Sequence, residues 1–294
     1  MRLAHFGLAL LVVAVWGSNF VVIKHGLRDF QPFLFATLRF FFSALPFAFF
    51  IPRPRVAWKW LVLYGVFLGA GQFGLLFYAM RADISPGLTS LVVQVQVFFT
   101  IALSVLLFRE RVSTPALAGL VLAAAGLAVI AFHLDASVTA KGILTVICAA
   151  FFWGCANVVV KKAALESKAR VNMLAFVVWS SLFAVPPLTL MSLAFEGAGA
   201  WSALGRADVL AWLAVAWQSL GNTLFAFAAW SWLLTRYDAA VVTPYALLVP
   251  VFGMGSSALL LGEPLPPWKL TAAAMVLAGI ALGTLVPALI RRRR

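Results

Sequence analysis

The chain has 294 residues, 64% of them hydrophobic and 11% charged, with a mean hydropathy of +1.04. A soluble domain is about 45–50% apolar and about 25% charged, so a large water-soluble core is excluded and lipid is the expected solvent. The formal charge of +13 would suggest nucleic acid in a soluble protein, but these Lys and Arg residues fall between apolar runs, which points to membrane orientation and to no nucleic-acid partner.

A helix needs about 20 mostly apolar residues to span a bilayer. Ten runs qualify: 5–24, 33–51, 60–80, 85–107, 115–132, 142–161, 173–195, 209–234, 239–261 and 268–290. The prediction is an all-α membrane protein of ten transmembrane helices. The first run follows a single Arg2, as a signal peptide would, but it lacks an Ala-x-Ala cleavage site and is expected to stay as a helix. Links such as 81–84 and 236–238 are so short that they force antiparallel neighbours.

Trp16-Gly17-Ser18-Asn19-Phe20-Val21-Val22-Ile23-Lys24 returns as Trp153-Gly154-Cys155-Ala156-Asn157-Val158-Val159-Val160-Lys161, with five of nine positions identical at an offset of 137. Leu107-Phe108-Arg109-Glu110 aligns with Leu260-Leu261-Gly262-Glu263, and Ala125-Gly126 with Ala278-Gly279, both at an offset of 153. Arg81-Ala82-Asp83 and Arg236-Tyr237-Asp238 repeat in the same order. The pattern predicts duplication into halves 1–135 and 136–294, with residues inserted near 196–208 in the second. Five helices per half is an odd number, so the halves would cross in opposite senses, with a substrate site near midplane.

With the N-terminus inside, fifteen Lys and Arg residues fall on the inner side and six on the outer, Arg39 being left within a helix. This predicts both termini in the cytoplasm. The Arg291, Arg292, Arg293 and Arg294 tail would then anchor to anionic membrane lipid.

Polar groups inside spanning helices face the bundle or a cavity. Such groups are Ser18, Asn19, Gln72, Tyr78, Ser90, Gln94, Gln96, Asn157, Gln218, Asn222, Thr243 and Tyr245. Ser90 and Gln94 share a face, as do Gln218 and Asn222; Gln96, two residues from Gln94, is expected to point elsewhere. The competing role for each is an interhelical hydrogen bond. Trp16, Tyr78, Trp153, Trp217 and Tyr245 could form flat cavity walls, whereas Trp58, Trp60, Trp201 and Trp268 read as an interfacial belt. The expected substrate-binding set is Trp16, Asn19, Tyr78, Ser90, Gln94, Trp153, Asn157, Gln218, Asn222 and Tyr245.

Gly65 and Gly69 make a small-x-x-x-small contact pattern. Pro46, Pro186 with Pro187, Pro244 and Pro250 are candidate hinges. Arg39, about six residues inside its helix, is expected to snorkel to the interface, with capture of a substrate carboxylate as the sharper alternative. The acids and histidines sit at helix ends or in loops, so no proton relay through the core is evident. Glu110 and Glu263 are expected to anchor loops, against Arg111 or Lys269. Cys148 and Cys155 lie about 10 Å apart along one helix, too far for a disulfide. No cofactor or metal site is expected; the pattern leaves the oligomeric state open and is compatible with a monomer.

Trp-Gly-Ser-Asn-Phe at 16–20, Leu-Arg-Phe at 38–40, Leu-Gly-Glu-Pro-Leu at 261–265 and Ala-Gly-Ile-Ala-Leu at 278–282 resemble the EamA family of the drug/metabolite transporter superfamily. The resemblance covers essentially the whole chain and looks greatest to the aromatic amino-acid exporter branch. It implies a ten-helix permease of the bacterial inner membrane exporting amino acids and other metabolites. One departure is Val97, where the family often has the proline that Pro250 supplies in the ninth helix. A multidrug or nucleotide-sugar carrier is the alternative within transport, but the buried carboxylate or cavity cations such carriers would want are missing. An intramembrane enzyme would need a nucleophile with a base or a metal cluster, and a scaffold or receptor would not explain polar groups in both repeats.

Overall fold

The computed structural model describes residues 2–109, 114–133, 138–167, 171–237 and 242–292. Glu110, Arg111, Asp238, Arg293 and Arg294 lie outside the described residues, as do the side chains of Thr243, Pro244, Arg291 and Arg292.

Eight helices among the described residues are long and apolar enough to cross a membrane. They are α1 (Leu3–Asp29), α2 (Pro32–Phe50), α3 (Trp58–Ala82), α4 (Pro86–Phe108), α5 (Thr114–Ala131), α6 (Ala140–Glu166), α7 (Met173–Glu196) and α8 (209–236, apolar over Val209–Trp230). Two shorter apolar stretches follow: Tyr245–Leu261 in α9 (243–261) and Pro267–Gly283 in α10 (Pro267–Arg292). The chain is an all-α membrane protein.

Starts of helices leave backbone N–H groups without partners, and here acids, an amide and a hydroxyl supply them. Thr139, Asn172 and Asp208 cap α6, α7 and α8 through the N–H groups of Gly142, Ala175 and Ala211. The proline-initiated α2 and α4 borrow theirs from the other half of the chain. Glu196 accepts from the N–H of Phe33 (2.6 Å) and Leu34 (3.1 Å), and Glu263 accepts from the N–H of Gly87 (3.0 Å). Glu263 also accepts from Ser85 Oγ and pairs with Lys269 Nζ at 2.8 Å, with both side chains buried. The anchoring role expected of Glu263 against Lys269 is the geometry found.

The helices pack in a pattern that survives exchanging 1–5 with 6–10. α5 lies along α10, α2 along α7 and α4 along α9; α1 packs on α9 as α6 packs on α4, and α1 on α8 as α6 on α3. The irregular turns match as well. π-helical segments occupy Gly65–Gly74 in α3 and Trp217–Phe225 in α8; 3-10 turns occupy Val93–Val95 in α4 and Thr243–Leu248 in α9. Both α4 and α9 end in a left-handed residue, Arg109 (φ 55°) and Gly262 (φ 67°). The missing proline at Val97 therefore does not spare α4 an irregular turn.

The repeated Trp-Gly pair explains two crossings. A methyl group on Gly17 would meet the α9 backbone at Val249 O (2.6 Å) and Gly253 N (2.9 Å), and one on Gly154 would meet Phe99 Cβ (2.9 Å) and Thr100 N (3.1 Å) of α4. Only glycine permits backbones to approach this closely. Gly65 and Gly69 serve the same purpose against Ser180 and Ala184 of α7.

Of the hinge candidates, Pro46 divides α2 into Pro32–Ala44 and Phe47–Phe50, and Pro250 starts the α-helical part of α9. Pro244 lies in the 3-10 turn before it, whereas Pro186 and Pro187 sit inside an unbroken helical stretch of α7. Cys148 and Cys155 are free thiols.

Candidate functional site

A cavity lies halfway along the bundle, where α1, α3, α4, α6, α8 and α9 converge. About 140 Å³ of it admits the centre of a water molecule. Trp16, Phe20, Phe73, Trp153 and Phe227 make its apolar walls; Asn19, Gln72, Gln94, Gln96 and Asn222 are its polar groups. The Trp16 ring is held at a tilt against Phe227 (5.6 Å) and Trp230 (5.2 Å). Mostly aromatic walls with a few amides suit an uncharged or zwitterionic ligand with an apolar side chain.

Five of the ten residues expected from sequence line this cavity: Trp16, Asn19, Gln94, Trp153 and Asn222. The other five lie elsewhere, each for a visible reason. Tyr78 stands at the end of α3, stacked on Phe33 at 5.8 Å with Lys141 Nζ 4.7 Å from its ring centre. Ser90 is buried, bonded to Gly87 O and pressed against Gly253 where α4 crosses α9. Tyr245 packs on Phe6 near the start of α1. Asn157 donates to Gln96 Oε1 (2.8 Å) and Thr100 Oγ1 (3.1 Å), tying α6 to α4. Gln218 is wholly buried behind Asn19 and donates to Asn19 Oδ1 at 2.7 Å. Trp217, considered as a wall, lines an outer groove with Leu11 and Val251. Within the belt set, Trp58 is exposed and carries Arg53 over its ring, and Trp268 stacks on His133 at 4.8 Å.

Two expectations are overturned. Simple α-helical spacing turns Gln96 away from Gln94, yet both border the cavity. An α-helix puts residues i and i+2 about 200° apart, but the 3-10 turn at Val93–Val95 tightens the winding between them and brings Gln96 round. Arg39 does not snorkel. Its side chain is fully buried, Nη1 donates to Gln218 Oε1 at 2.7 Å, and the guanidinium carbon lies 3.5 Å from the centre of the Phe73 ring. Its backbone carbonyl accepts from Ser219 Oγ, so α2 and α8 are joined at this point from both sides. Gln72, named in the sequence only as a polar group, is a lining residue whose Oε1 has no partner; Asn222 Oδ1 has none either. Both sit in the π-helical segments, a cue that residue type alone does not carry.

Among the described residues no cluster of His, Cys, Asp or Glu could hold a metal ion. The lining offers hydrogen bonds and aromatic faces, the equipment for binding.

The comparisons agree with this architecture. The model of the EamA-like transporter family matches residues 5–132 and 140–285. A Salmonella typhimurium protein named as a probable amino-acid metabolite efflux pump is 40% identical over 279 residues, covering 93% of this chain and 92% of its own. An Escherichia coli protein with the same name is 39% identical over 276 residues, covering 93% and 92%. One solved crystal structure, at 20% identity, superposes over 99% of both chains with a TM-score of 0.65, a likeness of fold. By family match and by identity over nearly its whole length, the chain belongs to the EamA-like transporter family.

Proposed function

We propose that the protein is a permease of the bacterial inner membrane that exports amino acids, including aromatic ones, and related metabolites. It acts without enzymatic chemistry or cofactor, by exposing its central cavity to each side in turn. The carrying observation is the central cavity walled by Trp16, Trp153, Phe20 and Phe227 with five neutral amides. The names of the Salmonella and Escherichia coli relatives support the substrate class, and that of another relative, an Escherichia coli inner membrane transporter at 24% identity, supports the location.

Two inverted five-helix halves, 1–135 and 136–294, are the proposed framework. It is supported by the exchange pattern of helix contacts and by the two stretches that match the family. Departures from that exchange bear on the conformation. α1 packs on Leu75–Ala82 of α3 and on Pro86–Val92 of α4, while α6 makes no comparably extensive contact with Ala226–Arg236 of α8 or the start of α9 among the described residues. These contacts close the bundle at the end of α1 that carries Lys24. With both termini cytoplasmic, as the Lys and Arg distribution favours, the closed end is the outer one, the arrangement an exporter needs when it loads cargo.

Counterflow in proteoliposomes tests the reading. Vesicles loaded with a mixture of unlabelled L-amino acids should accumulate radiolabelled ones transiently, and vesicles without protein should not. Absence of counterflow for every amino acid tried, with folded protein in the vesicles, would dismiss amino-acid export.

A further inference from the structure

The geometry points to a carboxylate subsite at Asn19, whose polarity is set from behind the cavity by Arg39 acting through Gln218. The inference rests on the export reading and deepens it.

The argument is one of donors and acceptors. A guanidinium has N–H donors and no acceptor. The group it meets, 2.7 Å away in Gln218, must therefore be the amide oxygen. That choice leaves Gln218 only its NH2 to offer Asn19, so Asn19 must accept through Oδ1, as it does at 2.7 Å. Asn19 is then left with its own NH2, and it is a cavity-lining residue. Amide orientation is ordinarily free to turn over; here a fixed cation at the far end removes that freedom over two successive amides. The chain Arg39→Gln218→Asn19 delivers an N–H donor to the cavity and polarises it in the direction that favours an anion.

The charge is left under-compensated. Arg39 is fully buried, its Nε has no partner, and no acid pairs with it among the described residues. One neutral amide and an aromatic face do not balance a buried cation. An incoming carboxylate at Asn19 would supply the missing negative charge without touching Arg39. Of the other lining residues, Gln72 and Asn222 are 2% and 3% exposed and each carries an unpartnered amide oxygen. Those acceptors suit the ammonium group of the same molecule. The cavity thus takes an α-amino acid by both ends of its zwitterion, with the side chain against the tryptophans. Arg39 and Gln218 are positioning residues.

Counterflow competition measures this directly, using L-phenylalanine, phenylalaninamide and phenethylamine, with the leucine series alongside. In the wild type each acid should compete at least ten-fold better than its amide or its decarboxylated amine. Gln218→Glu keeps the shape but makes the middle group acceptor-only. It should take N–H from both Arg39 and Asn19, turn Asn19 Oδ1 to the cavity, and reduce the acid-over-amine ratio to near one or invert it. Asn19→Asp should do the same without touching the relay, and serves if Gln218→Glu does not fold. Arg39→Lys should retain part of the ratio, which a purely packing role for Arg39 would not require.

Wild-type protein that accepts acid, amide and amine alike would overturn the subsite while leaving amino-acid export standing. A folded Gln218→Glu or Asn19→Asp protein with an unchanged ratio would overturn it as well. Failure of every amino acid to exchange would instead remove the export reading, and the subsite with it.

Discussion

Glu263→Gln should be among the most costly single changes outside the cavity. Glu263 Oε1 takes the Lys269 ammonium at 2.8 Å and the Ser85 hydroxyl, and Oε2 takes the Gly87 N–H at 3.0 Å. Exposure of the pair is 7% for the glutamate side chain and 2% for the lysine, so solvent screens it little. The substituted amide would keep one oxygen acceptor and lose the charge. Lys269 would be left without a counter-charge, with neutral acceptors such as the Pro264 carbonyl at 3.1 Å. Breaking a buried pair by removing one partner costs about 3–5 kcal/mol, mostly because the other charge stays buried and unpaired. At about 2 °C per kcal/mol for a chain of this size, thermal unfolding in detergent should fall by about 8 °C. If the orphaned cation is the cause, adding Lys269→Met to Glu263→Gln should recover most of the loss, since no unpaired charge is then left buried. A single variant as stable as the wild type, or a double variant no better than the single, would refute the reasoning.

Gly17→Ala should destabilise by about 1–3 kcal/mol through overpacking, and more than Gly154→Ala, because its new methyl comes within 2.6 Å of α9 backbone whereas that of Gly154 comes no closer than 3.1 Å to α4 backbone; equal shifts in unfolding temperature would count against this. Gln96→Ala and Asn157→Ala remove the two ends of one hydrogen bond, so both should lower counterflow to a similar degree, and a silent Gln96→Ala would argue against the placement of Gln96 at the cavity. In a background without Cys148 and Cys155, a cysteine at Ser202 should react with an impermeant reagent from outside and one at Ser167 should not. Net accumulation driven by an imposed pH gradient is not expected, since no acid or histidine lies midway along a spanning helix; a charge moved through 100 mV is worth about 2.3 kcal/mol, but a coupled proton needs a group to ride on.

The scaffold is readable because membrane helices are long, apolar and bounded by charge, and because repeated motifs sit at matching contacts. Trp16-Gly17 and Trp153-Gly154 can be matched by eye, and each proves to be a crossing point. Glu263 in the link before α10 and Lys269 in its first turn lie six residues apart, close enough for their pairing to be anticipated. The site is half readable. Periodicity fails wherever the helix is not α-helical, and the 3-10 turn just before Gln96 defeats it there. Arg39 eludes the sequence for a different reason: its partner Gln218 is 179 positions away, so local pattern offers snorkelling or a substrate carboxylate as fates for a charge in a helix, and not a buried amide. Tyr78 and Tyr245 have the right chemistry at the wrong depth, which depends on helix ends that hydropathy places only within a few residues.

The π-helical segments in α3 and α8 bear on how such a gene can vary in length. A π turn holds one residue more than an α turn, so losing a single residue from Gly65–Gly74 or Trp217–Phe225 can be absorbed by a return to α geometry. The helix on either side then keeps its facing. The same loss in the regular α1 would turn everything beyond it by about 100° and carry Trp16 and Asn19 off the cavity face on one side of the cut. Single-codon deletions should accordingly survive in these two windows and nowhere along α1, although those that fall next to Gln72 or Asn222 will reshape the cavity as they do so.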